Sequence, residues 1–198
     1  PPARLSSVDA PRLGRAELDR VRGQAAELVR ASRYGQAAEV LASAVEPAGR
    51  ALGRQSQAVV SLRLDLANVL FEGGDYHAAA PAYHELVADL STWDDSESEL
   101  AFRCRLQEAT CHALVGQTSL ALRQLVELRD DEVRVFGPDD PRTLELRRQI
   151  GLLQLGAGQR DTAEETLRAL LGDLTRLNGA DHPTTGKIRD ILSAQPHH

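Results

Sequence analysis

Residues 57–90 read QAVVSLRLDLANVLFEGGDYHAAAPAYHELVADL. From Gln57 to Glu72, apolar side chains at Val59, Val60, Leu62, Leu64, Leu66, Val69, Leu70 and Phe71 fall at helical spacing. Gly73-Gly74-Asp75 stops that helix, and Tyr76 to Leu90 resumes as its partner. Columns of like residues recur 42 positions apart on either side: Ala25, Ala67, Ala109 and Gly151; Ala37, Ala79, Ala121 and Ala163; Gly74, Gly116 and Gly158; Arg63, Arg105, Arg147 and Arg189. A period between 20 and 50 residues is the mark of a repeat protein, in which one supersecondary unit stacks on the next and function resides in an extended surface.

Laying the same hairpin along the chain predicts helix pairs at Glu17–Ser32 with Tyr34–Leu52, Gln57–Glu72 with Tyr76–Leu90, Ser98–Val115 with Ser119–Phe136, and Pro141–Ala157 with Asp161–Leu177. A ninth helix from Pro183 to Leu192 closes the series. The expected fold is therefore all-α, an α-solenoid of about four helical hairpins plus a C-terminal capping helix. Residues 137–141 (Gly-Pro-Asp-Asp-Pro) and 179–183 (Gly-Ala-Asp-His-Pro) are one corner motif used twice, with Gly suited to the left-handed cap of the preceding helix and Pro to the first turn of the next.

These residues resemble the tetratricopeptide repeats, in the longer, kinesin-light-chain-like form. The small-residue columns, the Gly74-Asp75-Tyr76 turn and the corners Gly137 to Leu144 and Gly179 to Thr185 carry the likeness, which covers about Glu17 to Leu192. Residues 53–56 (Gly-Arg-Gln-Ser) lack the Asp and Pro of the corner, and 93–96 (Trp-Asp-Asp-Ser) lack its Gly and Pro, so both are expected to be longer or more mobile than the others. The piece also resembles the C-terminal repeat region of some actinobacterial serine/threonine protein kinases. An Arg-rich, Ala-rich composition with Lys187 as the single lysine agrees with such a GC-rich source. The resemblance implies a protein- or peptide-binding scaffold acting as the regulatory or docking domain of a larger signalling protein. A peptide or small-ligand sensor domain of a transcriptional regulator or signalling ATPase, and a homo-oligomerisation element, are the alternatives.

Composition narrows the partners. The 198-residue chain carries a net charge of −6, so it lacks the basic footprint of a nucleic-acid binder. Its apolar runs are far shorter than the roughly 20 residues of a membrane span. Cys104 and Cys111 stand seven apart on one predicted helix, roughly 10 Å along its axis, too far to pair, and read as buried residues of a reducing, cytoplasmic compartment. Residues 1–14, with three prolines, read as a disordered linker tail after an upstream domain, 15–195 as the superhelical domain, and 196–198 as a tail or tag stub. Nucleotide-loop, zincin and nucleophile-elbow motifs are missing, and His77, His84 and His112 stand without further ligands at metal spacing, so no enzyme activity, cofactor or metal is expected. Asp94, Asp95, Glu97 and Glu99 read as an acidic helix start.

Two sets of side chains are candidates for specific roles. Asp89, Asp131 and Asp173 share the period and precede Arg105, Arg147 and Arg189 by sixteen residues, which predicts ion pairs across repeat boundaries. The resemblance places ligand contacts on the concave face of the first helices. It maps them to Arg22, Ser61, Asn68, Arg103, Thr110, Glu145 and Arg148, where side chains differ between repeats while the packing columns stay fixed.

Overall fold

The computed structural model describes residues 14–90 and 95–194. Nine α-helices and no strand occur among them: α1 Arg15–Arg30, α2 Tyr34–Leu52, α3 Gln57–Glu72, α4 Tyr76–Leu90, α5 Asp95–Leu114, α6 Thr118–Phe136, α7 Pro141–Gly156, α8 Arg160–Asn178 and α9 Pro183–Ser193. The chain divides into two compact units, residues 1–101 and 102–198, with the division inside α5. The predicted linker tail at 1–13, Trp93 and Asp94 of the second corner, and the tail at 195–198 lie outside the described residues.

Local chemistry explains the helix limits. Gly74, Gly116 and Gly158 hold φ of +81°, +83° and +75° in the turn inside each hairpin, and Ser32 fills the same repeat position at +57°. The next helix is then capped by a side chain where the sequence supplies one. Asp75 accepts from the Ala78 amide at 3.1 Å, and Asp140 accepts from the Arg142 amide at 2.9 Å. At the last corner the His182 ring nitrogen accepts from the Thr184 amide.

The first corner differs from its expectation. Residues 53–56 span the same four positions as 137–140 and 179–182, because Gly53 keeps the left-handed backbone and the Ser56 hydroxyl accepts from the Val59 amide in place of Asp. In the second corner α5 begins at Asp95, four residues before the repeat equivalent of Gln57. Asp95 occupies the repeat position that holds Gly53, Gly137 and Gly179, which removes the residue suited to a left-handed stop and lets the helix start early.

Each unit buries the small-residue columns between its helices. In unit 1, Ala25, Ala37, Leu41, Ala44, Ala48, Val59 and Leu62 form one core across α1, α2 and α3. In unit 2, Ala109 joins Leu122, Leu125, Leu128, Leu146 and Ile150 across α5, α6 and α7. Leu144, Leu167, Leu170, Leu174 and Ile188 fill the space among α7, α8 and α9. Close backbone approach is the purpose of the columns: a Cβ on Gly151 would lie 2.6 Å and 2.7 Å from two carbons of the Leu167 side chain. Leu167 is itself fully buried, so it has little room to yield.

Candidate binding faces of the two units

Three members of the arginine column form ion pairs, with a geometry other than the one expected. Arg63 pairs with Asp89 and, at 3.2 Å, with Glu85. Arg105 pairs with Asp131 and Arg147 with Asp173, each at 2.7 Å. The three Arg–Asp pairs each span 26 residues, from the first helix of a hairpin to the last turns of its own partner. The predicted Asp131–Arg147 and Asp173–Arg189 pairs across repeat boundaries are replaced. Arg134 also binds Asp131, Arg176 also binds Asp173, and Arg189 donates to the Ala180 carbonyl at 2.9 Å. The reason is antiparallel packing, which lays the end of α8 beside the early turns of α7, with Arg147 on the face turned toward it.

Arg147 and then Arg176 hold the Asp173 carboxyl below the usual carboxylate range, against a smaller opposing effect of burial. A group with a depressed folded pKa adds stability that is present above its unfolded pKa and lost as pH falls through the folded one. A double-mutant cycle on Arg147→Gln and Asp173→Asn, followed by chemical denaturation, should therefore show a coupling of roughly 0.5–1 kcal/mol at neutral pH that fades below about pH 4. The partial solvent access of the pair keeps it small. A coupling of zero at neutral pH would leave the column without a stabilising role.

Among the candidate binding residues, the structure separates those held by the fold from those left to solvent. In unit 1, Arg22 of α1 bonds Asp65 of α3 at 2.5 Å, and both line an open cavity of about 540 Å³. Its floor is Ala25, Leu41 and Val69, and Asn68 and Glu72 complete its α3 wall. Asn68 is committed inward: its carbonyl oxygen accepts from the Tyr83 hydroxyl at 2.8 Å, and Tyr83 is 1% exposed. Asn68→Ala would thus remove one hydrogen bond of a buried hydroxyl, a cost of about 0.5–1.5 kcal/mol that a ligand-binding test must avoid.

In unit 2, the Thr110 hydroxyl donates to the Leu106 carbonyl one turn earlier. Glu145 and Arg148 form a bidentate pair at 2.6 Å and 2.8 Å, which with Gln149 and Lys187 holds the Glu145 carboxyl below its ordinary range. Ser61 in unit 1 and Arg103 in unit 2 are different, because no hydrogen bond or ion pair engages either among the described residues.

Glu145 and Arg148 stand on one wall of a cavity of about 780 Å³ in unit 2. Residues from α7, α8 and α9 line it, with an apolar floor of Leu144, Leu170, Leu174 and Ile188 and a rim carrying Asp139, Lys187 and Asp190. Lys187 is the residue the sequence reading missed. The signal was available, since extending the column Ser61, Arg103, Glu145 by 42 positions reaches Lys187 in the capping helix.

The remaining chemistry is quiet. Cys104 and Cys111 are buried free thiols, and burial pushes each up to about 11, so neither supplies a thiolate nucleophile at neutral pH. No cluster of three His, Cys, Asp or Glu groups suited to a metal occurs among the described residues. No described helix is long and apolar enough to cross a membrane.

Comparison with known proteins agrees with this architecture. No protein-family model and no curated protein matches the sequence. Among solved structures, a Podosopora anserina kinesin-light-chain-like protein with nearly identical TPR-like repeats is similar over 90% of this chain in a single-residue variant and 91% in the unsubstituted form. The TM-scores are 0.73 and 0.74 at 17% identity, and the match covers 84% and 85% of those chains. BtubC (BKLC) from P. vanneervenii is similar over 88% of this chain and 64% of its own, with a TM-score of 0.58 at 15% identity. The fold is thus that of TPR-like helical repeats, an all-α solenoid.

Proposed function

We propose that this chain is a non-enzymatic docking module that binds a protein or an extended peptide along the exposed faces of its first helices. The observation that carries the reading is the contrast within the repeat. Ala67, Ala109 and Gly151 are buried in one column, whereas a second column, exposed at Asp19, Arg103, Glu145 and Lys187 and half-buried at Ser61, changes chemistry at every step. Within each unit a buried frame presenting a varied polar face suits a protein or peptide ligand, and Ser61 and Arg103 have hydrogen-bonding capacity that no bond among the described residues uses. The TPR-like architecture supports the same reading.

Self-assembly through the end helices is one alternative, and polar ends disfavour it. The exposed side chains of α1 include Arg20 and Arg30, paired with Glu17 and Glu27, and those of α9 include Lys187, Arg189 and Asp190. The finer reading, a docking region of a cytoplasmic serine/threonine kinase, rests on the sequence resemblance, and the full-length gene decides it.

Arg103→Glu tests the site without disturbing the fold. As an exposed helix-face change it should alter stability by no more than about 0.5 kcal/mol, while weakening affinity for a purified partner tenfold or more in a titration. Unchanged affinity for that partner would remove the first-helix face of unit 2 from the interaction.

A further inference from the structure

One residue of unit 2 breaks a packing column of the repeat. Glu132, near the end of α6, occupies the repeat position of Ala48, Leu90 and Leu174, and all three of those are buried apolar side chains. Glu132 is buried as well, at 6% exposure, and its Oε2 atom has no hydrogen-bond partner among the described residues. A carboxylate withdrawn from water without a partner is costly, and a place where residue type and packing disagree calls for a functional reason. The cations around it are committed elsewhere. Arg105 of α5 bonds Asp131 at 2.7 Å, and the exposed Arg134 bonds the same carboxylate. Arg142 of α7 bonds Asp140 at 2.9 Å and 3.2 Å, and its guanidinium stacks on the Phe136 ring at 3.7 Å. No hydrogen bond or ion pair engages Glu132 itself among the described residues. The charged groups that face it are Arg105 from α5, Asp140 from the corner and Arg142 from α7, with Asp131 beside it on α6. Glu108 and Glu127 act on the same Arg105.

We propose that Glu132 makes the junction of α5, α6 and α7 a proton-controlled latch, tight while its carboxyl is neutral and loosened when it is ionised. A neutral carboxyl leaves the Arg105–Asp131 and Arg142–Asp140 pairs undisturbed. An ionised one competes with Asp131 and Asp140 for the same two guanidinium groups or draws water into the junction, and either response loosens the α6–α7 corner. Burial holds the Glu132 carboxyl above the usual carboxylate range; Arg142 and Arg105 oppose this, and Asp140 adds to it. Arg142 holds Asp140 itself below that range, so of these two carboxyls Glu132 is the one that takes the proton. A raised folded pKa means that the folded state binds the proton more tightly. Ionisation therefore costs stability above the folded pKa, and the loss is recovered as pH falls through it toward the unfolded value. The sign is opposite to that of Asp173, whose contribution acid removes.

The test follows the carboxyl itself and then the corner. A carbon-13 NMR pH titration of the intact chain, labelled at its glutamate carboxyls, should show Glu132 titrating above the ordinary glutamate value of about 4.3. Its signal is identified by its loss in Glu132→Gln or in Glu132→Leu, the second of which restores the residue found at Leu90 and Leu174. Both variants should have a higher urea midpoint than the wild type at about pH 7.5, and the gap between Glu132→Gln and the wild type should narrow as pH falls to about 5. Comparing the two proteins at each pH cancels the acid loss at Asp140, Glu145 and Asp173, which both retain. Amide exchange at residues 133–144 should be slower in Glu132→Gln than in the wild type at about pH 7.5 and should converge at about pH 5. A Glu132 midpoint at or below the ordinary value, a lower urea midpoint for both variants at neutral pH, a gap that does not change with pH, or corner exchange unaltered by the substitution would each overturn the latch.

Discussion

Gly151→Leu is expected to lower the stability of unit 2 by about 3 kcal/mol or more, the upper end of overpacking costs. Even the first carbon of a side chain at this place would sit 2.6 Å from the Leu167 side chain, whose exposure is zero, and α7 and α8 would have to separate to admit more. Gly172→Ala on the exposed face of α8 is the control. A Cβ there meets nothing within 4 Å, so replacing a helical glycine should raise stability by about 0.5–1 kcal/mol. Urea titrations that gave both substitutions the same sign would contradict the packing argument.

Arg63→Leu is expected to cost about 2–4 kcal/mol, the largest effect of any member of the arginine column. Arg63 is 7% exposed and its guanidinium meets Asp89 and Glu85 of α4, so the substitution removes a nearly buried charge together with both of its ion pairs. Arg105 and Arg147 are more exposed, and the same change there should cost less. Chemical denaturation of the three variants checks the order. A cost for Arg63→Leu no larger than for Arg147→Leu would mean that burial does not set the strength of these pairs.

Much of the fold was legible because its repeat is written in residues with single physical reasons. Ala67, Ala109 and Gly151 mark close helix approach, Gly74, Gly116 and Gly158 mark left-handed turns, and Gly137 and Gly179 mark corners. These choices depend on backbone geometry, which a linear pattern preserves. The length of the first corner was misjudged because Ser56 can take the capping place of Asp, which the Asp-Pro signature does not register.

Side-chain partners were less legible. A shared period shows that Arg147 and Asp173 belong to one structural feature but leaves two neighbours for each arginine, and only the direction in which it leaves the helix chooses between them. Asn68 and Thr110 sat at candidate binding positions, yet Tyr83 and the Leu106 carbonyl had already claimed them. Lys187 was missed because the column was followed through four hairpins and stopped before the capping helix.

The central claim, that the first-helix faces are the docking surface, is tested most directly by placing a photo-crosslinking residue at single solvent-accessible positions of the intact chain bound to its partner, exposed at Arg103 and half-buried at Ser61. Substitution at Ser61 and Arg103 probes the first helices, and substitution at Gln36, Arg123 and Arg168 probes exposed positions of the second helices. Crosslinked partner from Ser61 and Arg103 and none from the second-helix positions is the predicted result. Crosslinks confined to Gln36, Arg123 and Arg168 would contradict it and move the docking surface to the second helices.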